Sequence, residues 1–160
     1  MKRYSLEDLR RLREQHLRDQ TERVAVQVRR VAAAERAAEQ ASRARLSTQQ
    51  QLRTARSEHA ARLDDGQATA LDLARQAAWE TEIARQLEQA HARERQAMAK
   101  LASEKQQEVS SRAELAAKEA ELKAVERHKA AWASAVSRAE ELEIEEQALE
   151  AWGARPRGRV

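Results

Sequence analysis

The stretch Leu63-Asp64-Asp65-Gly66-Gln67-Ala68-Thr69 decides the fold, because Gly66 is the first glycine of the chain, the next is Gly153, and the one proline is Pro156. Glycine reaches the left-handed conformation that ends a helix without steric cost. Asp64, Asp65 and Thr69 have short polar side chains that bond the local backbone and can open a new helix. No other breaker interrupts the chain on either side. The stretch therefore predicts the bend of a helical hairpin.

Composition points to a seam rather than a core. Of 160 residues, 41% are hydrophobic, about half of them alanine, and 36% are charged; there is no Phe, one Tyr and three Trp. Such dominance of Ala, Glu, Lys, Leu, Arg and Gln is the signature of long helices or coiled coil. The absence of cysteine excludes disulfides and thiolate chemistry and fits a reducing compartment. Met1-Lys2-Arg3-Tyr4 leads straight into a charged amphipathic pattern without an apolar signal core. No apolar run approaches the roughly 18 residues needed to span a bilayer. The expectation is a soluble cytoplasmic protein.

The net charge of +3 hides an asymmetry. Residues 1–63 carry 15 Lys plus Arg against 8 Asp plus Glu, or +7; residues 64–152 carry 12 against 19, or −7; the last eight add +3. Two helices of opposite sign joined by a bend are expected to lie side by side. Surface ion pairs contribute only about 0 to 1 kcal/mol each, so the asymmetry selects the pairing more than it stabilises it.

Helix one is expected over about residues 5–63. Ser5 serves as N-cap, with Glu7 and Asp8 in the first turn. Its seam runs through Leu6, Leu9, Leu12 or Arg13, His16 or Leu17, and Gln20. It continues through Val24, Val28, Val31, Ala34, Ala38, Ala41, Leu52, Ala55, His59 and Leu63. After a bend over residues 64–69, the Thr69-Ala70-Leu71-Asp72 capping spacing opens helix two, over about residues 70–152. Its seam reads Leu73, Ala77, Trp79 or Glu80, Ala84, Leu87, His91, Glu94, Met98 and Leu101. Polar breaks follow at Lys105, Glu108 and Arg112, then Leu115, Leu122, Val125, Trp132, Val136, Ala139, Leu142, Leu149 and Trp152. Gly153 and Pro156 end the helix, leaving a short basic tail over residues 153–160. An alanine seam removes little area from water, which makes the middle of the hairpin its weakest part.

The fold class read from this pattern is all-α: one elongated antiparallel two-helix coiled-coil hairpin with a longer C-terminal helix. At 1.5 Å per residue the helices are roughly 88 and 125 Å long. Folding about Gly66 brings Tyr4 near His128 and within a turn of Trp132, and leaves residues beyond about Arg127 unpaired. That overhang combines Trp132, Val136, Leu142, Ile144, Leu149 and Trp152 with Glu140, Glu141, Glu143, Glu145, Glu146 and Glu150. An acidic helix with an apolar stripe and no internal partner is a candidate docking surface.

No catalytic constellation is present, so the chain reads as a non-enzyme without cofactor or metal. It has no Gly-rich phosphate loop, and His16, His59, His91 and His128 lie neither at i, i+4 nor opposite one another in the hairpin. The carboxylates sit on solvated helix faces, where nothing moves a pKa into a catalytic range. Nucleic-acid binding is weighed on Arg10, Arg11, Arg13, Arg29 and Arg30. Interleaved acids, the acidic second helix and the lack of stacking aromatics count against it. Trp79 is expected to fill the seam near Leu52, Trp132 to stack with Tyr4, and Trp152 to be exposed or to contact a partner.

Two segments resemble a known family. Leu6-Glu-Asp-Leu-Arg-Arg-Leu-Arg-Glu-Gln-His16, an LxxLRxLRE pattern, resembles the N-terminus of the central stalk proteins of type III secretion systems, the FliJ/YscO family, and more closely its virulence-injectisome branch. Residues 118–152, KEAELKAVERHKAAWASAVSRAEELEIEEQALEAW, are similar to its closing helix: a basic, Ala-rich segment, an aromatic residue (Trp132), then an acidic cluster from Glu141 to Glu146. The resemblance implies a nonenzymatic antiparallel helical hairpin similar to the central shaft subunit of rotary ATPases, acting at the cytoplasmic face of the secretion apparatus. It implies that the chain binds and activates the hexameric secretion ATPase, contacts the cytoplasmic domain of the export gate, and in some members binds secretion chaperones. The end bearing Tyr4, Trp132 and the acidic overhang then faces the ATPase ring, and the protein alone is a monomer. Partner-binding residues on this reading are Tyr4, Trp132, Val136, Glu140, Glu141, Leu142, Glu143, Glu145, Glu146, Leu149 and Trp152, with Asp64, Asp65 and Gly66 forming the bend. The alternatives are a structural or adaptor coiled coil of another assembly, or an RNA-binding helical arm.

Overall fold

Gly66 has φ +67° in a computed structural model of the chain, which describes residues 4–66 and 68–153. Its N–H donates to the Leu63 carbonyl at 3.1 Å, after Asp65 N–H has closed the last full helical turn on Ala61 at 3.1 Å. This is the left-handed helix stop that glycine favours. The next helix opens on a reciprocal cap. Thr69 Oγ1 accepts from Asp72 N–H at 3.2 Å, while the Asp72 carboxylate accepts from Thr69 N–H at 3.1 Å and from its hydroxyl at 2.6 Å. These bonds hold the Asp72 carboxyl below its usual range, chiefly through the Thr69 hydroxyl. The expected stop at Gly66 and cap at Thr69 are both present; Gln67 lies outside the described residues.

The described residues form helix α1, Glu7–Asp64, of 58 residues, and helix α2, Ala70–Gly153, of 84 residues. The fold is all-helical, two long helices packed antiparallel as a hairpin. The start of α1 differs from expectation. Leu6, not Ser5, supplies the first carbonyl of the helical ladder, to Arg10 N–H at 3.0 Å, after a turn in which Glu7 N–H reaches Tyr4 at 3.3 Å. Among the described residues no side chain is completely buried, as a two-helix seam requires. Nor is any helix long and apolar enough to cross a membrane. Pro156 and the basic tail from residue 154 lie outside the described residues.

Contacts divide the chain into two units, Arg23–Ser111 and Met1–Glu22 with Arg112–Val160. In the first, the α1 seam runs through Val24, Gln27, Val31, Ala34, Ala38, Ala41, Arg45, Thr48, Leu52, Ala55 and His59, all buried or half-buried. Their alternating spacing of three and four is the heptad pattern of a helix pair. On α2 the matching set is Gln76, Glu80, Ile83, Leu87, Ala90, Glu94, Ala97, Leu101, Glu104, Glu108 and Ser111. Several expected members are displaced by one residue. Gln27 is buried and Val28 exposed, Ile83 is buried and Ala84 exposed, and Glu104 rather than Lys105 enters the seam.

Polar partnership explains these choices. Gln27 Nε2 donates to the Glu104 carboxylate at 2.7 Å and to its carbonyl at 3.0 Å, satisfying a side chain only 6% exposed. Lys105, turned outward, pairs with Glu35 at 2.9 Å. Arg45 Nε lies 2.7 Å from the half-buried Glu94 carboxylate without the alignment of a hydrogen bond, while Arg45 Nη1 donates to Gln49 at 3.0 Å. Closer to the bend, Arg56 pairs with Glu80 at 3.2 Å. Leu52, Ala84 and Leu87 line one shallow groove, whereas Trp79 lines another with Ala55, Glu58, His59 and Arg62. Trp79 therefore does not fill the seam near Leu52; it is 36% exposed.

The second unit closes on an aromatic clasp. Tyr4, 5% exposed, places its hydroxyl 2.8 Å from His128 Nδ1 and its ring 5.3 Å from the Trp132 ring at a 52° tilt. Tilted aromatic pairs at this distance are favourable beyond their buried area. Lys129 lies 2.8 Å from the Glu7 carboxylate, which also accepts from Arg10 at 2.9 Å. Arg13 pairs with Glu121, and Gln20 Nε2 donates to Glu114 at 3.1 Å. Tyr4 thus meets His128 and Trp132 as the hairpin register predicts.

Candidate functional site

The α2 seam of the second unit runs through Leu115, Lys118, Leu122, Val125, Lys129, Trp132 and Val136, all half-buried. Beyond Val136 every described side chain up to Trp152 is exposed. Leu142, Ile144, Leu149 and Trp152 are 60%, 65%, 68% and 73% exposed. Tyr4 is the first described residue, it already lies against Trp132, and the helix continues past it.

The structure separates the candidate partner-binding residues into two groups. Tyr4 faces inward against Trp132 and His128, so it organises the base of the surface rather than lining it. Val136 is half-buried beside them in the seam sequence. Glu140, Glu141, Leu142, Glu143, Glu145, Glu146, Leu149 and Trp152 all lie on the exposed end of α2. Local bonds steady its start, Arg138 to Ser134 Oγ at 3.1 Å and Ser137 Oγ to Glu141 at 3.3 Å. Asp64, Asp65 and Gly66 form the helix stop and lie far along the chain from this end.

Within the exposed end the side chains are not equivalent. Carried forward at 3.6 residues per turn, the seam spacing after Trp132 and Val136 reaches Ala139, Glu143, Glu146 and Glu150. Leu142 and Leu149 lie along one edge of that stripe. Glu141 and Glu145 point away from it, on the far side of the helix. The sequence pattern lists these glutamates together, and only the seam phase fixed by Trp132 and Val136 sorts them.

A second feature was not foreseen. His59, Arg62, Ala68, Asp72, Arg75, Gln76 and Trp79 line an open groove of about 620 Å³ next to the bend. Its Asp72 carboxylate is already engaged by Thr69, and charges of both signs face each other across it. The signal available in the sequence was Trp79 one turn from Arg75 and two residues from Ala77, with no apolar side chain larger than alanine directly beside it.

Every carboxyl group with a resolved shift is displaced downward. Glu7 falls to about 2 through hydrogen bonds from Lys129 and Arg10, and Glu82 to about 2 through Arg85 and Gln86. Glu80 is lowered by Gln76 and then Arg56. All of these groups are anions at neutral pH, suited to pairing with cations. Among the described residues no group of three or more His, Asp or Glu side chains could hold a metal ion. The exposed end of α2 presents Leu142, Leu149, the Trp152 indole and a run of carboxylates. Comparison of the chain with protein-family models, with curated proteins and with solved structures finds no match.

Proposed function

We propose that this chain is the nonenzymatic central stalk of a type III secretion apparatus, binding and activating its hexameric secretion ATPase and linking that ring to the export gate. The observation that carries the reading is the end of α2 beyond Val136, an acidic and apolar segment with exposed Leu142, Leu149 and Trp152. The similarity of residues 6–16 and 118–152 to the stalk family supports it. On this reading the hairpin is a coiled coil with the longer helix C-terminal. It works at the cytoplasmic face of the apparatus, and the exposed end of α2 is the ATPase-facing part. Secretion chaperones are further partners. Opposite charge on the two helices presents different contacts to identical ring subunits as the stalk turns.

Pull-down and ATPase assays with the cognate hexamer test this reading. Binding and stimulation at micromolar chain concentration are expected; absence of both removes it. The same exposed leucines and tryptophan favour one rival, an adaptor coiled coil that self-associates through this end. Sedimentation separates the two, because the stalk is a monomer at concentrations where the adaptor is an oligomer.

A further inference from the structure

We propose that the face of α2 carrying Ala139, Glu143, Glu146 and Glu150 is completed by a basic amphipathic helix of another protein, laid along α2 in line with α1. The inference rests on reading the exposed end of α2 as the docking surface, and adds what its occupant must be made of.

The first support is continuity with an existing interface. Up to Val136 this face of α2 packs against α1 and the Tyr4 clasp, and the same heptad phase carries it onward without a break in the helix. A helix following the line of α1 meets the next turns of a surface already shaped for a helical neighbour. The second support is charge. Along the occupied part of this unit the helices meet through complementary polar pairs: α1 donates from Arg13 to Glu121 and from Gln20 to Glu114, and α2 donates from Lys129 to Glu7. Past Val136 the seam positions change from Trp and Val to three glutamates, each exposed. Leu142 and Leu149 edge the stripe and require apolar cover. The complement is a helix with Arg or Lys facing Glu143, Glu146 and Glu150 and a leucine-like residue over Leu142 and Leu149. A second copy of this end brings like charges together, and a nucleic acid or anionic bilayer is repelled by the same carboxylates.

The test uses the full chain and a fluorescent synthetic peptide of roughly three heptads of Leu, Ala and Arg, with a Glu-for-Arg peptide as control. Binding of the Arg peptide alone, weakened by salt, is expected by anisotropy. E143K/E146K/E150K should weaken it at least about tenfold, while E141K/E145K on the far side should stay within about twofold. Circular dichroism keeps the variants comparable, since all five side chains are exposed and only Glu141 has a described bond, from Ser137 one turn back in the same helix. No binding of the Arg peptide, or equal weakening by both sets of reversals, overturns the proposal. Self-association that excludes the peptide overturns it in favour of a second copy. ATPase stimulation measured in parallel separates the two readings. Face-dependent peptide binding without any ATPase effect keeps this docking chemistry and removes the stalk. Stimulation undiminished in E143K/E146K/E150K keeps the stalk and removes the docking chemistry.

Discussion

At Gly66 an added methyl group meets nothing within 4 Å, so Gly66→Ala isolates one backbone angle. Holding an L-residue at φ +67° should cost about 1 kcal/mol, a fall in Tm of about 2–4 °C for a chain of this size. A melt that coincides with the unsubstituted protein contradicts that account of the bend. Glu7 offers a second single-residue test. Its carboxyl is held down to about 2, first by Lys129 and then by Arg10. A depressed acid stabilises the fold above its ordinary pKa, near 4.5, and loses that contribution as pH falls towards 2. The Tm difference between the unsubstituted chain and Glu7→Gln should therefore be constant above about pH 5 and shrink between about pH 4.5 and 2. A difference independent of pH across that window excludes the charged clasp. Glu82 is held equally low by Arg85 and Gln86, within its own helix, and E82Q serves as the control that lacks an interhelical partner.

Between helices the seam is locked by polar pairs as much as by apolar ones. Replacing Gln27 with Leu leaves the Glu104 carboxylate without its 2.7 Å donor, which should destabilise the chain by about 1–3 kcal/mol in chemical denaturation. The double variant Gln27→Leu/Glu104→Leu replaces the pair with apolar contact and should recover most of that loss. Strict additivity of the two single changes refutes the pairing. The same pair shows what the sequence could and could not disclose. Gly66, Thr69 and Asp72 were readable because turn and cap chemistry is local, complete within a few residues. The antiparallel pairing was readable from the position of the bend, and it brought Tyr4 to His128 and Trp132. The phase of the seam was not. Val28 looks a better seam residue than Gln27, so hydropathy points to the wrong position there, whereas at Ile83 beside Ala84 the more apolar residue is the one that is buried. Gln27 enters because Glu104 faces it from the other helix, 77 residues away, and Ile83 follows from the same phase. Along the exposed end of α2, that phase distinguishes Glu143, Glu146 and Glu150 from Glu141 and Glu145.

For the molecule as a whole, the exposure of every described side chain over residues 137–152 makes the end of α2 separable from the fold. Removing residues 137–160 should leave the stability of the remainder within about 0.5 kcal/mol, while abolishing partner binding. Collapse of the hairpin on that truncation shows that the removed segment supports it. The clasp at Tyr4 has the opposite character, and chain connectivity gives it a place in time. Tyr4 meets His128 across 124 residues, whereas Arg56 meets Glu80 across 24. Closing the longer loop directly from the unfolded chain costs about 1.5 kcal/mol more in loop entropy. Pairing is therefore cheapest beside the bend and grows outward, each turn shortening the loop left to close. On this ordering the hairpin is expected to zip from the bend, with the ring of Tyr4 reaching Trp132 late in folding and leaving it early in unfolding. Weakening the clasp accordingly speeds unfolding with little effect on the folding rate, and disturbing the bend slows folding.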